Sequence, residues 1–109
     1  MNPDGSFKLV VYVPLTHADA VRQAMGQAGA GVLGNYAHCS FSSRGVGRFL
    51  PLAGANPHFG AVGQAEEVEE ERIEVTVAGS LLSAVLAAMQ AAHPYDEIAY
   101  DVYRREEIN

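Results

Sequence analysis

The chain has 109 residues, 49% of them hydrophobic, and 7 Lys and Arg stand against 13 Asp and Glu for a formal charge of -6. That length fits one domain around one core and leaves no room for a second lobe. The basic residues are scattered, with only Arg104 and Arg105 adjacent, so the chain repels a phosphate backbone and nucleic acid is excluded as an expected partner.

No apolar run approaches the roughly 20 residues that a membrane span needs. Met1 to Ser6 have neither the basic start nor the apolar core of a secretory signal. Cys39 is the single cysteine, so an internal disulfide cannot form, which fits a reducing cytoplasm. The expectation is a cytoplasmic protein with no membrane attachment: a flexible stretch over 1–6, one domain over 7–104 and a tail over 105–109.

Phe7 to Val13 read as a strand closed by Pro14, with Phe7, Leu9, Val11 and Val13 on one face and Val10 and Tyr12 on the other. Thr16 then caps a helix, with Asp19 three residues on as a weak capping box. Ala18, Val21, Met25 and Ala28 follow at helical spacing, and Gly29 supplies the stop. A glycine-rich link leads to a second strand near Tyr36 to Ser43. Ser43-Arg44-Gly45-Val46-Gly47 carries a turn signal, Arg48 to Leu52 suggest a short hairpin arm, and Gly54 to Gly63 form a long loop of the kind that often carries function.

Ile73, Val75 and Val77 alternate with Arg72, Glu74 and Thr76, which predicts a third strand with one buried face. The preceding acidic run, Glu66 to Glu71, reads as a solvated strand edge. Ser80 caps a second helix with an apolar stripe of Leu82, Val85, Leu86 and Met89, and Pro94 follows its end. Ile98 to Tyr103 form the last strand. The order βαββαβ is the ferredoxin-like α+β arrangement, an antiparallel sheet with two helices on one face. Helices cover only that face, so Val10, Tyr12, Tyr103 and either Cys39 or His38 on the other suggest burial by further subunits.

Several motifs are spaced along the whole chain: Gly29-Ala30-Gly31, Gly34-Asn35-Tyr36, His38-Cys39-Ser40-Phe41-Ser42, Gly54-Ala55-Asn56-Pro57, Arg72-Ile73-Glu74 and His93-Pro94-Tyr95-Asp96-Glu97-Ile98-Ala99-Tyr100-Asp101. Over Phe7 to Tyr103 the chain resembles the insert domain of the YqfO-type, or NGG-one-interacting-factor-three, family. That insert is similar in turn to CutA and the PII signalling proteins, which implies a ferredoxin-like fold and a homo-oligomer, with a trimer favoured. Full-length members carry a two-metal site on two flanking lobes and are often labelled cyclohydrolase-like. None of those ligands maps onto a residue of this chain, so the resemblance implies a free-standing regulatory or binding domain.

The fold brings Pro14 to His17, part of the Arg44 to Gly63 excursion and His93 to Glu97 to one edge of the sheet, with His38 at the opposite edge. The ligand-binding candidates are therefore His93, Tyr95, Glu97, Asn56 and His58. Each has a structural alternative: His93 can bond free carbonyls at a helix end, Tyr95 can be a packing aromatic, and His58 can be a solvated loop residue. His38 and Cys39, with His93, are the metal-ligand candidates for a transition-metal ion such as copper or zinc. Adjacent strand residues point to opposite faces, and a buried inert cysteine competes with that reading.

The functional expectation is an oligomeric domain that binds or senses a small ligand or metal ion. A purely structural or protein-interaction module is the alternative. A small metal-dependent hydrolase ranks last, because no nucleophile and no complete metal set stand out, and no cofactor is required.

Overall fold

The structure is a computed structural model and describes residues 5–106. Strand β1 spans Ser6–Pro14, helix α1 Ala18–Gln27, β2 Phe41–Phe49, β3 Glu66–Ala78, helix α2 Leu82–Ala92 and β4 Tyr100–Arg104. The strands form one antiparallel sheet in the order β2-β3-β1-β4. This is the predicted ferredoxin-like α+β fold.

The apolar alternation drives the layering. Leu9, Val11 and Val13 of β1 and Ile73, Val75 and Val77 of β3 meet Ala18, Val21 and Met25 of α1 and Val85 and Met89 of α2 in one buried cluster. The other face of the sheet follows from the register: Lys8, Val10 and Tyr12 lie opposite Thr76, Glu74 and Arg72, and Lys8 and Val10 lie opposite Tyr103 and Asp101. Val10 is buried on this face, outside the helix-side cluster. Phe41 joins it through Glu74. His38 and Cys39 precede β2 and take no part in the ladder, so Phe41 occupies the place anticipated for one of them.

The helix ends differ from expectation at one terminus and agree at the other. Neither Thr16 nor Ser80 caps a helix with its side chain; each lies in a 3-10 turn, Leu15–His17 or Gly79–Leu81, that leads into α1 or α2. The tighter turn satisfies the first amide through the backbone, as Ala18 N–H bonds the Leu15 carbonyl. At the far end of α1, Gly29 has φ +111, Ala30 N–H donates to the Met25 carbonyl and Gly29 N–H to the Gly26 carbonyl. These two bonds form a Schellman stop, which requires the left-handed conformation that glycine adopts without penalty.

The largest departure is β2. The strand runs straight through Ser43 to Gly47, where a turn is predicted, and pairs in register with Arg72 to Val68 of β3. The acidic run is likewise no free edge, since Glu66 to Glu71 pair with Phe49 to Arg44. Turn propensity is a local preference, and here the ladder hydrogen bonds of a 13-residue partner strand override it. Because β1 ends opposite Glu70, the β2–β3 ribbon continues beyond it, and the molecule is elongated, 50 × 22 × 22 Å. The last strand begins at Tyr100 rather than Ile98, with Ala99 accepting a bond from Tyr12 N–H and Ile98 packed on the core.

Candidate functional site

The end of α2 meets the end of β1 at His93. Its backbone is extended (φ -82, ψ 138), which ends the helix ahead of Pro94. The imidazole is buried, with Nε2 2.7 Å from the Tyr12 carbonyl oxygen and Nδ1 3.2 Å from Tyr95 N–H. A carbonyl only accepts and an amide only donates, so the ring is neutral, with its proton on Nε2. Burial pushes its pKa below the usual histidine value, against opposing pulls from the Tyr12 carbonyl and Glu70. Both ring nitrogens are thus committed to the backbone, and His93 fastens α2 to β1.

Tyr95 reaches the open face of the sheet. Its hydroxyl donates to Glu70 Oε2 at 2.8 Å, and burial followed by the Glu70 carboxylate drives the phenol pKa well above its usual value. Around its ring stand Phe49, His58, Phe59 and His93, with centroids at 6.1, 6.4, 6.4 and 4.9 Å. The long loop is folded back onto this corner. Asn56 N–H donates to Asp96 Oδ2 at 2.9 Å, and His58 lies edge-on to His17 at 5.4 Å.

Loop, ribbon and corner enclose an open cavity of about 920 Å³ on the uncovered sheet face. Tyr12, Gly45, Gly47, Glu70 and Arg72 lie along its floor, Leu50 to Ala55 and His58 along one wall, and Tyr95, Asp96 and Glu97 along the other. Of the predicted ligand-binding residues, Tyr95, Glu97 and His58 border this space. Glu97 is exposed, Asn56 contributes through its backbone amide, and His93 lies behind the wall.

Glu70 is the residue that sequence reasoning missed. It is only 8% exposed, although it sits in a run read as solvated. The signal was present in the alternation: extended backward from Ile73, Val75 and Val77, it puts Glu70 on the same face as Arg72 and Tyr12. Gly47 completes the arrangement, since a Cβ there would overlap the Glu70 carboxylate. The glycine predicted to make a turn instead makes room for a carboxylate.

His38 and Cys39 lie elsewhere, beside a second cavity of about 460 Å³ bordered by Asp19, Arg22 and Ser40. The His38 ring covers Gly26 of α1 and its backbone is left-handed, φ 59. Arg22 nearby is ion-paired with Asp19 and Glu71 and donates to Ser42, tying α1 to β3 and β2. His38, Cys39 and His93 therefore do not meet within one chain. Among the described residues, no three or more His, Cys, Asp or Glu side chains are grouped to hold a metal ion. No helix among them is long and apolar enough to cross a membrane.

No family model matches the chain. It is 53% identical over 97 residues to a protein of Halalkalibacterium halodurans named GTP cyclohydrolase 1 type 2 homolog, covering 89% of this chain and 26% of that protein. Among solved structures, the Bacillus cereus protein related to NIF3 superposes with a TM-score of 0.81 at 52% identity, over 94% of this chain and 26% of that one. The divalent cation tolerance protein CutA from Archaeoglobus fulgidus superposes with a TM-score of 0.67 at 14% identity, over 95% and 87%. The chain therefore spans about a quarter of the length of the NIF3-related proteins that it resembles at about 50% identity, and it has the CutA- and PII-like ferredoxin fold.

Proposed function

We propose that this domain is a binding or sensing module that takes a small ligand in the cavity on the open sheet face and works as a homo-oligomer. The observation that carries the reading is the cavity itself: about 920 Å³, walled by an apolar loop, with a few polar groups converging from β3 and the 93–97 corner. Small-molecule sites have that size and makeup. The closed hydrogen bonding of His93 favours an organic ligand over a metal ion held at that residue. This chain matches about a quarter of the length of the longer relatives, so the activity that their name suggests is not carried over to it.

A thermal-shift panel on reduced, chelator-treated protein tests the reading, with divalent metals, Cu(I), nucleotides and small organic cations as probes. A ligand selective for the folded state raises stability by about 2.7 kcal/mol at a hundredfold excess over Kd. Replacing Glu97 and His58 by Ala, both exposed at the rim, should weaken that shift and leave the oligomer intact. The second reading, a structural or interaction module, rests on the exposed Phe41 and Tyr103 of the open face. It would prevail if no probe shifts the melting temperature.

A further inference from the structure

Glu70 and His93 are the buried polar or charged residues among those described. His93 is satisfied by backbone on both sides, whereas among the described residues Glu70 receives one bond, from the Tyr95 hydroxyl. An ionised carboxylate offers about four acceptor sites, and buried carboxylates are normally paired with a cation. None of the ion pairs among the described residues includes Glu70. Three arginines border the cavity: Arg72 is paired with Glu74, Arg48 lies 3.7 Å from Glu67 at the exposed surface, and Arg44 is opposite Glu71, on the other face of the ribbon from Glu70, while Asp96 and Glu97 add two more carboxylates to the wall.

The space beside Glu70 is also shaped. Gly45 lies directly opposite it on β2, and a Cβ at Gly45 would meet nothing within 4 Å. A bare strip of strand backbone thus lies beside the carboxylate, in a cavity also lined by the apolar loop residues Leu50 and Leu52. We infer that Glu70 is the recognition carboxylate of this cavity and that the ligand is a flat organic cation. Its paired N–H donors, amidinium or guanidinium in type, would bond Glu70 while its apolar body lies over Gly45. The inference rests on the cavity being a ligand site and adds the charge and shape of what it takes.

Benzamidine, with benzoate as its matched anion, tests this by titration into isotopically labelled protein at neutral pH. Benzamidine should shift the amides of Gly45, Gly47, Glu70 and Tyr95 saturably, and benzoate should bind at least about tenfold more weakly, as expected for loss of a charge-assisted pair. Glu70→Gln keeps an acceptor for Tyr95 and should weaken benzamidine about tenfold or more. Gly45→Val, compatible with a strand and with open space at its Cβ, should block the probe while the fold persists. Benzoate binding as tightly as benzamidine would overturn the cation assignment and leave the cavity as a ligand site. Benzamidine affinity unchanged by both substitutions would place the probe elsewhere and overturn it too. An absence of shifts from either probe would overturn the inference, and the thermal-shift panel would then decide the site separately.

Discussion

At the scale of single residues, two side chains at the 93–97 corner govern stability and pH response. The native state holds His93 neutral with a lowered pKa, while the unfolded chain protonates near pH 6.5. Below that pH the unfolded state binds the extra proton, so stability falls as pH drops from about 6.5 toward the folded-state pKa and is unaffected above it. Urea midpoints at pH 7.5 and 5 should differ in that direction, and His93→Ala should flatten this component. That variant should also cost about 1–3 kcal/mol, because the Tyr12 carbonyl and Tyr95 amide lose their partner. Tyr95→Phe leaves the buried Glu70 without its hydroxyl donor and should cost about 1–3 kcal/mol at pH 7 by the same measurement.

At the scale of elements, the helices contribute through the buried stripes that they lay on the sheet. α2 presents Val85 and Met89, both fully buried, to the cluster formed by β1, β3 and α1. Truncating Met89 to Ala removes packing that no neighbour can replace and should cost about 2–5 kcal/mol. For a domain stabilised by about 5–15 kcal/mol, that is a large fraction, readable as a fall in the urea midpoint. The β2–β3 ribbon differs in kind. Its outer half carries charges such as Arg48 and Glu67 and two glycines rather than core residues, so it positions the cavity wall and adds little to the core.

At the scale of the whole molecule, the helix layer leaves one sheet face uncovered. Phe41 and Tyr103, 67% and 56% exposed, share that face with Lys8, Arg72, Glu74 and Asp101. Exposed aromatics among mixed charges suit a surface that packs against copies of itself. Light scattering at micromolar concentration should therefore report a homo-oligomer. Phe41→Asp combined with Tyr103→Asp should yield a folded monomer, and a monomeric mass for the unchanged chain would sink the assembly.

The sequence by itself determined the layers. The period-two apolar residues of β1 and β3, the helical stripes and the left-handed stop at Gly29 all act over a few residues, and each appears as read. The tertiary structure decided the path of β2 and the site. Gly45 and Gly47 favour a turn in isolation, but pairing with β3 outweighs that preference. Glu70 looks solvated among its acidic neighbours; its burial depends on Tyr95, 25 residues away, and on the absence of a side chain at Gly47. For His93 the sequence left a ligand-binding role and a structural one side by side; only the fold shows its ring bonded to the Tyr12 carbonyl, 81 residues distant in the chain. Local patterns report which face is buried; which polar group is left facing a cavity depends on contacts between segments far apart in the chain.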